Sequence, residues 1–149
     1  MSRDFRVRGL GEVAIRCADL AAMVAFYRDV IGLRPLTDGE RGGIVFFEIG
    51  PGHGGHTTVL ALFRYDAGDP RLQPTGSAPP ATGAGSSLHH LALTVGAEEQ
   101  AGVLAWYEEI GQPYRVEEFP WIGWRGIFTE DPEGNTVELV AKIGDGSEA

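Results

Sequence analysis

The chain has 149 residues, of which 43% are hydrophobic and 22% charged, and its formal net charge is −9 at pH 7. This length suffices for one domain with a sizeable core, because such a domain buries about 70% of the surface of its unfolded chain. The negative charge argues against a nucleic-acid partner, since phosphate backbones are bound by basic surfaces. No apolar run is long enough for a signal peptide or a membrane span. The one cysteine, Cys17, fits a reducing compartment, so we expect a cytoplasmic protein with no membrane partner.

The first module, about residues 9–63, predicts a strand, a helix and two more strands. Asp19 is placed as the N-cap of a helix whose apolar residues recur at helical spacing as far as Ile31, and Gly32 follows as its C-terminal residue. A glycine-rich turn separates the last two strands. The predicted strands are Leu10–Arg16, Ile44–Ile49 and Thr57–Phe63.

Residues 64–86 interleave prolines and glycines without apolar periodicity, which is typical of a linker or a long surface loop. The same order of elements then returns in a second module, about residues 87–143, followed by a short tail, 144–149. A helix is predicted over Glu98–Ile110, with Gly111 at its end. The predicted strands are Leu88–Val95, Arg115–Glu118, Trp124–Thr129 and Thr136–Val140.

A specific turn precedes the last of these strands. Pro132 fixes φ at the first central position of the turn Asp131–Gly134, and Gly134 is expected to adopt a positive φ. Beyond the turn, strand alternation places Glu138 on the opposite face from Val137 and Leu139. A carboxylate on such a face is in most proteins simply solvated.

The internal repeat favours a functional role for Glu138. Sliding one module over the other matches Glu12 with His90 and Ala61 with Glu138. If the two modules pack about a pseudo-twofold axis, these four side chains converge in a cup. Glu12, His90 and Glu138 are residue types that bind a divalent cation, whereas Ala61 contributes no ligand.

At this point the chain resembles the vicinal oxygen chelate superfamily of glyoxalases, bleomycin-resistance proteins and extradiol dioxygenases. The motifs that carry the resemblance are Glu12-Val-Ala-Ile with Asp19-Leu20 and Phe26-Tyr27, His90-Leu-Ala-Leu, and Asp131-Pro-Glu-Gly-Asn with Glu138-Leu. The resemblance implies an α+β protein of two paired βαβββ modules that form a cupped, partly open, β-barrel-like sheet with flanking helices. It also implies that metal-ligand positions fall on Glu12, His90 and Glu138. Two positions depart from the family pattern, because Glu12 stands where His is common and Ala61 where a polar residue is common.

One imidazole with two carboxylates is a harder donor set than the two-His, one-carboxylate set of non-haem iron oxygenases. We therefore expect Mn²⁺, Mg²⁺, Zn²⁺ or Ni²⁺ in preference to Fe²⁺. In chemistry like that of the family, two neighbouring substrate oxygens bind the metal, which stabilises an enolate or oxyanion. Glu12 or Glu138 then serves as the base, if one of them detaches from the metal.

The roles of the four histidines can also be explained without a metal. His90 can be a partly buried histidine paired with Glu12 or Glu138 in a protein that binds no metal. Strand alternation turns His89 towards the helix side, which makes it a poor ligand. His53 and His56 lie in the glycine-rich turn, where a solvated role is expected.

The remaining site residues are predicted to contact a substrate. Trp121 and Trp124 suit the wall of a pocket for a small organic molecule, because an indole offers a large apolar surface and one N–H donor. Arg125 or Arg16 can bind a carboxylate on that molecule, and Ala61 lines the cup.

These observations predict a metal-dependent lyase, isomerase or dioxygenase-like enzyme acting on a small oxygenated metabolite. The alternative is a protein that binds and sequesters a drug or metabolite without catalysis. We also expect a homodimer, because open modules leave strand edges that pair readily with a second copy. The sequence leaves open whether the cup forms within one chain or across the dimer.

Overall fold

The computed structural model describes residues 2–72 and 78–146. The chain divides into two compact units, Met1–Pro80 and Ala81–Ala149. The boundary between them lies within the predicted linker, residues 64–86, of which residues 73–77 are outside the described part. Residues 147–149 of the predicted tail are outside it as well. The organisation of both modules into a single domain stays a prediction.

The first unit contains a four-stranded mixed sheet and one short α-helix, in the order β, α, β, β, β. Its strands lie side by side in the order β1-β4-β3-β2, with β1 parallel to β4 and the other neighbours antiparallel. Strand β2 has only two residues and was not predicted. The elements are β1 Glu12–Cys17, α1 Leu20–Ala25, β2 Arg34–Pro35, β3 Ile44–Pro51 and β4 Thr57–Arg64.

Helix α1 begins where the sequence predicts, because the Asp19 side chain accepts a hydrogen bond from the backbone N–H of Ala22 at 3.0 Å. Such a cap typically contributes about 1 kcal/mol. The helical chain then widens into one π-helical turn, Phe26–Val30, in which the N–H of Ile31 donates to the carbonyl of Phe26. The predicted extent to Ile31 is therefore right, although the geometry changes on the way.

The second unit repeats this topology, with strand order β5-β8-β7-β6 and β5 parallel to β8. A 3-10 turn, Ala97–Glu99, precedes the second helix, so the α-helical part begins two residues after the predicted start at Glu98. The elements are β5 Leu91–Thr94, α2 Gln100–Ile110, β6 Arg115–Phe119, β7 Trp124–Glu130 and β8 Thr136–Lys142. Two βαβββ modules, and with them the predicted α+β class, are confirmed.

The core of each unit lies between its sheet and its helix. In the first unit, Met23 and Tyr27 of the helical segment are completely buried, as is Cys17 at the end of β1. In the second unit, Tyr107 of α2 and Val137 of β8 are buried to the same degree. Each sheet therefore has one face covered by its own helix, and we call the opposite faces the Glu12 face and the Glu138 face, after the residue that each carries.

The registers of the two sheets confirm the match between the modules. Ala61 of β4 pairs with Ala14 and Phe46, and Glu138 of β8 pairs with Ala92 and Phe128. Glu12 lies two residues before Ala14, and His90 two residues before Ala92. Glu12 and His90 thus hold equivalent positions in their units, as do Ala61 and Glu138.

None of the helices in the described ranges is long and apolar enough to cross a membrane.

Candidate functional site

The turn before β8 fixes where that strand begins. The N–H of Gly134 donates to the carbonyl of Asp131 at 3.0 Å, and one carboxylate oxygen of Asp131 accepts from the backbone N–H groups of Glu133 and Asn135. The other carboxylate oxygen accepts from the Asn135 side chain at 2.9 Å. Gly134 adopts φ +82°, which confirms the predicted conformation. A rigid turn of this kind sets the phase of the following strand and hence the face on which Glu138 lies.

Glu138 is a buried carboxylate. It is only 5% exposed, although it lies on the face of the sheet opposite the helix. Burial raises the pKa of the Glu138 carboxyl above its ordinary value of 4.5, while the neighbouring His90 acts in the opposite direction and Glu117 adds a smaller upward effect. Because the carboxylate is buried, the expectation of simple solvation does not describe this residue.

His90 is the partner of Glu138. Its Nε2 lies 3.2 Å from Oε1 of Glu138, and its side chain is about one-third exposed. The residue immediately precedes β5, whose parallel pairing with β8 brings the two side chains together. A mostly buried carboxylate and a more accessible imidazole therefore form one polar pair on the Glu138 face.

A glycine makes room for this carboxylate. Gly126 of β7 pairs with Val140, two residues beyond Glu138, so it lies diagonally across from Glu138 on the same face. A Cβ atom built at Gly126 would overlap Oε2 of Glu138 and would come within 2.8 Å of the Phe128 ring. The carboxylate therefore lies flat across the backbone of β7, which only a residue without a side chain permits.

His89 lies against His90. The two Nδ1 atoms are 2.7 Å apart, and the rings meet edge to face with their centroids 4.9 Å apart. The prediction that alternation would turn His89 to the helix side is wrong, because β5 begins only at Leu91 and the alternation of a strand does not extend to His89.

The ring of Phe128 lies beside the His90–Glu138 pair. Its ring centroid lies 6.3 Å from that of His90, and the guanidinium of Arg115 lies over the ring at 4.6 Å. Arg115 also forms an ion pair with Glu117. A cleft of about 520 Å³ opens at this end of the sheet. Its lining residues include Tyr114, Arg115, Phe128, Glu130 and Thr136.

Trp124 lies towards the other end of the Glu138 face. Its side chain is 43% exposed, and it pairs with Lys142 in the sheet. These residues line a mainly apolar groove of about 350 Å³ together with Thr94 and Val140. Trp121 lies in the turn before β7 and is 66% exposed. Open space with aromatic walls is thus present on both sides of Glu138.

Arg125 lies on the opposite side of its sheet from Glu138. Its Nε donates to the side-chain oxygen of Gln100 in α2 at 2.7 Å, and Gln100 in turn donates to the carbonyl of Arg125. Glu118 lies 3.9 Å from the guanidinium. Arg125 therefore ties the helix to the sheet and does not share a face with the His90–Glu138 pair.

Three other predicted site residues belong to the first unit. Glu12 and Arg16 lie on the same face of β1 and are exposed, whereas Ala61 on β4 is completely buried. A groove of about 260 Å³ lies beside Glu12 and Arg16, with Phe63 and Leu72 in its wall. The guanidinium of Arg16 donates to the carbonyl of Leu72, so this arginine holds the segment that follows β4 against the groove.

The donor chemistry of the His90–Glu138 pair fits a divalent cation. Two ligands bound to one such ion at about 2.1 Å lie about 3.0 to 3.4 Å apart at octahedral or tetrahedral angles. The observed separation of 3.2 Å falls in that range and is also that of a hydrogen bond between an imidazole and a carboxylate, the metal-free pairing that the sequence leaves open. Across residues 2–72 and 78–146, no group of three or more His, Cys, Asp or Glu side chains is placed to hold a metal ion. Within the second unit the pair thus offers two of the ligands that a metal centre requires.

Comparison with known proteins identifies the family. Residues 9–139 match the Glyoxalase/Bleomycin resistance protein/Dioxygenase superfamily, and the chain belongs to that superfamily. The predicted resemblance is therefore confirmed. No curated protein matches the sequence.

Solved structures share the fold. Lactoylglutathione lyase from Agrobacterium tumefaciens is 27% identical, with a TM-score of 0.65 over 89% of this chain and 92% of that one. A glyoxalase/bleomycin resistance protein/dioxygenase from Nocardioides is 21% identical, with a TM-score of 0.65 over 97% and 91%. TnmS3, an antibiotic binding protein from Streptomyces sp. CB03234, is 19% identical, with a TM-score of 0.59 over 93% and 98%.

Sequence reasoning missed three residues of the site. His89 was assigned to the wrong side, Phe128 was not connected with His90, and Gly126 was not considered. A signal for Gly126 was present, because an isolated glycine inside a strand often marks a close approach of another group.

Proposed function

We propose that the protein is a divalent-metal-dependent lyase or isomerase that acts on a small oxygenated metabolite, with His90, Glu138 and Glu12 as metal ligands. The observation that supports this most is the His90–Glu138 pair, in which a buried carboxylate faces an imidazole at the spacing of two ligands of one ion. Glu12 is included because it holds in the first unit the position that His90 holds in the second. Mn²⁺, Mg²⁺, Zn²⁺ and Ni²⁺ suit this donor set better than Fe²⁺.

The bound cation would act as a Lewis acid that polarises an oxygen of the substrate. Glu138 is proposed to move the proton once its carboxylate detaches from the cation. Glu12 is the alternative base. The 27% identity to a lactoylglutathione lyase favours the lyase and isomerase classes over a dioxygenase.

The substrate is proposed to lie on the Glu138 face, with Trp124 and Trp121 as its apolar contacts. Arg16 is the candidate for an anionic group, with Ala61 lining the site without a polar contact. Arg125 is left out of this set, because its side chain lies on the helix side of the sheet, opposite to Glu138.

A melting-temperature experiment tests the metal site. At a metal concentration of about 100 times the dissociation constant, binding stabilises the folded state by about 2.7 kcal/mol, which raises the melting temperature of a chain of this size by about 5 to 10 °C. We expect this shift with Mn²⁺, Ni²⁺ or Zn²⁺ in the wild type, and its loss in His90→Ala, Glu138→Gln and Glu12→Gln. Elemental analysis of protein purified without an affinity tag measures the bound metal directly.

The exposed histidines of the glycine-rich turn provide the control. His53→Ala and His56→Ala remove imidazoles that are not part of the proposed site, so both variants should retain the full shift. A shift that persists in His90→Ala and Glu138→Gln but disappears in His53→Ala would place the metal elsewhere and would refute the proposed site.

The groove beside Trp124 favours a second candidate, a non-catalytic protein that binds and sequesters a drug or metabolite. Its wall is mainly apolar and an indole is partly exposed there, as suits a planar organic ligand. Under this function the wild type takes up no metal after soaking, and an aromatic ligand quenches the fluorescence of Trp124 in the wild type but not in Trp124→Leu.

We also propose that the protein forms a homodimer. Taken by itself, each sheet ends in edge strands with backbone groups available for pairing. Sedimentation velocity at micromolar concentration should give the mass of a dimer, and a monomer at that concentration would exclude it.

A further inference from the structure

The contact between His89 and His90 requires a shared proton. Two imidazole Nδ1 atoms 2.7 Å apart form a hydrogen bond only if one of them carries the proton and the other presents a lone pair. The opposite nitrogen of His90, Nε2, faces Glu138 at 3.2 Å. The ring nitrogen of His90 that carries the proton therefore determines whether His89 is the donor or the acceptor of this hydrogen bond.

Two neutral tautomers of His90 are compatible with the bond to His89. In the first, His90 carries its proton on Nε2 and donates it to Glu138, while its Nδ1 accepts from the Nδ1–H of His89. In the second, His90 carries its proton on Nδ1 and donates it to His89, which leaves the lone pair of Nε2 directed towards Glu138. Two acceptors then face each other, so this arrangement needs a cation between them or a proton on Glu138. Only the second arrangement offers Nε2 of His90 as a metal ligand.

We propose that His89 is a positioning residue that holds the ring of His90 and accepts its Nδ1 proton when Nε2 of His90 binds a divalent cation. Metal-binding histidines generally donate their second ring N–H to a neighbouring acceptor, which fixes the tautomer and the ring orientation. Here the acceptor is the preceding residue in the chain. This inference rests on the proposed metal site at His90 and Glu138.

Burial gives no alternative reason for the contact. His89 is exposed, so its ring gains little from being removed from water. His90 precedes β5, so no ladder of strand hydrogen bonds fixes its backbone. In the described part of the chain, the other ring near His90 is Phe128, whose centroid is 6.3 Å away, and it offers no hydrogen bond. The two polar contacts, Nδ1 with His89 and Nε2 with Glu138, therefore set the rotation of the His90 ring, and His89 fixes its Nδ1 side.

Three variants of His89 separate a hydrogen bond from mere bulk. The side-chain amide of His89→Asn places a polar atom near the position of Nδ1 and can donate or accept there. His89→Gln places its amide near the position of Nε2 instead, and His89→Phe keeps the ring without either nitrogen. We expect calorimetric Zn²⁺ affinity to fall about 10- to 100-fold in His89→Phe and His89→Gln, and to stay within about threefold of the wild type in His89→Asn.

The ¹⁵N resonances of the His90 ring provide a second measurement, which a purely structural role would leave unchanged. In metal-free protein, the Nδ1 resonance should move in His89→Phe, because its bonding partner is lost, and should keep its wild-type character in His89→Asn. On addition of Zn²⁺ to the wild type, the proton should be found on Nδ1 of His90.

The outcomes distinguish this inference from the proposed function. Wild-type binding of Zn²⁺ that is equally tight in His89→Phe would overturn the role of His89 and leave the metal site intact. Equal losses in His89→Asn and His89→Phe would also overturn it, since bulk and not the hydrogen bond would then matter. If the wild type binds no Zn²⁺, the proposed function fails. An unmoved Nδ1 resonance in metal-free His89→Phe would then show independently that the positioning bond is absent.

Discussion

Replacing Gly126 by Ala should force the Glu138 carboxylate out of its position. The added Cβ would overlap Oε2 of Glu138, and the backbone of Gly126 is not in the left-handed region, so the strain comes from the side chain alone. Overpacking of this kind costs about 1 to 3 kcal/mol. If Glu138 also turns away from His90, a charge-assisted hydrogen bond worth about 1.5 to 3 kcal/mol is weakened. We expect a total loss of about 2 to 3 kcal/mol.

A double-mutant cycle with Glu138→Ala isolates this cause. Without the carboxylate, two of the three nearest contacts of the new Cβ are gone, and the third is the edge of the Phe128 ring at 2.8 Å. Gly126→Ala should then cost less than about 0.5 kcal/mol, because alanine in a strand interior is itself favourable over glycine by about 0.5 to 1 kcal/mol. The coupling free energy between the two positions should therefore be about 2 kcal/mol.

Urea denaturation of the four proteins measures the cycle, and Gly102→Ala is the matched control. Gly102 lies in α2, and no neighbouring atom of the described residues lies within 4 Å of the point where a Cβ would stand. Alanine at that position should therefore stabilise the protein by about 1 kcal/mol. A Gly126→Ala cost that is the same with and without Glu138 would refute the reasoning, since the carboxylate would then not be what occupies the space.

Other positions give simpler expectations. Tyr107→Phe should raise the free energy of unfolding by about 1 to 2 kcal/mol, because the buried Tyr107 hydroxyl has no hydrogen-bond partner among the described residues. Tyr27→Phe is the control: Tyr27 is equally buried at the equivalent position and is not without an interaction partner, so this change should bring no gain in the same denaturation assay. Burial raises the pKa of Tyr107 from 10.0 to about 12, so the unfolded chain releases this proton first and stability falls as pH rises from 10 to 12. Tyr107→Phe should reduce that fall, and an unchanged pH slope would contradict it. Gly134→Val should cost about 1 to 2 kcal/mol, because a β-branched residue is strained at φ +82°; equal melting temperatures for wild type and variant would show that the turn tolerates it.

The elements that were predicted correctly are those determined by neighbouring residues. The turn at Asp131–Gly134 is specified by a proline and a glycine at fixed offsets, and the cap of α1 by Asp19 alone. The match of Glu12 with His90 followed from period-two alternation in two strands, and the register of each sheet confirms it. Local chemistry of this kind can be read without knowing which strands pair.

The errors and omissions concern features that depend on where a strand starts or on which partner it has. His89 was placed by extending the alternation of β5 two residues beyond its actual start at Leu91. Arg125 was grouped with Trp124, although adjacent residues of one strand face opposite sides. Deciding which of the two shares the face of Glu138 requires the antiparallel register of β7 and β8, in which Glu138 pairs with Phe128. That register is a long-range property that the alternation within one strand does not contain.

The comparison of the two units shows that the difference between Ala61 and Glu138 involves more than one side chain. In the second unit, Gly126 pairs with Val140, two residues beyond Glu138. In the first unit, Ile44 pairs with Phe63, two residues beyond Ala61. Ile44 therefore holds the position that corresponds to Gly126. A large residue therefore accompanies the small Ala61, and a glycine accompanies the long Glu138. Because closely packed groups must conserve volume, a carboxylate at position 61 would meet the side chain of Ile44. In the first unit, both Ala61 on β4 and Ile44 on β3 therefore disfavour a carboxylate ligand. In the second unit, Gly126 leaves space for Glu138, so the buried carboxylate of the proposed site comes from that unit.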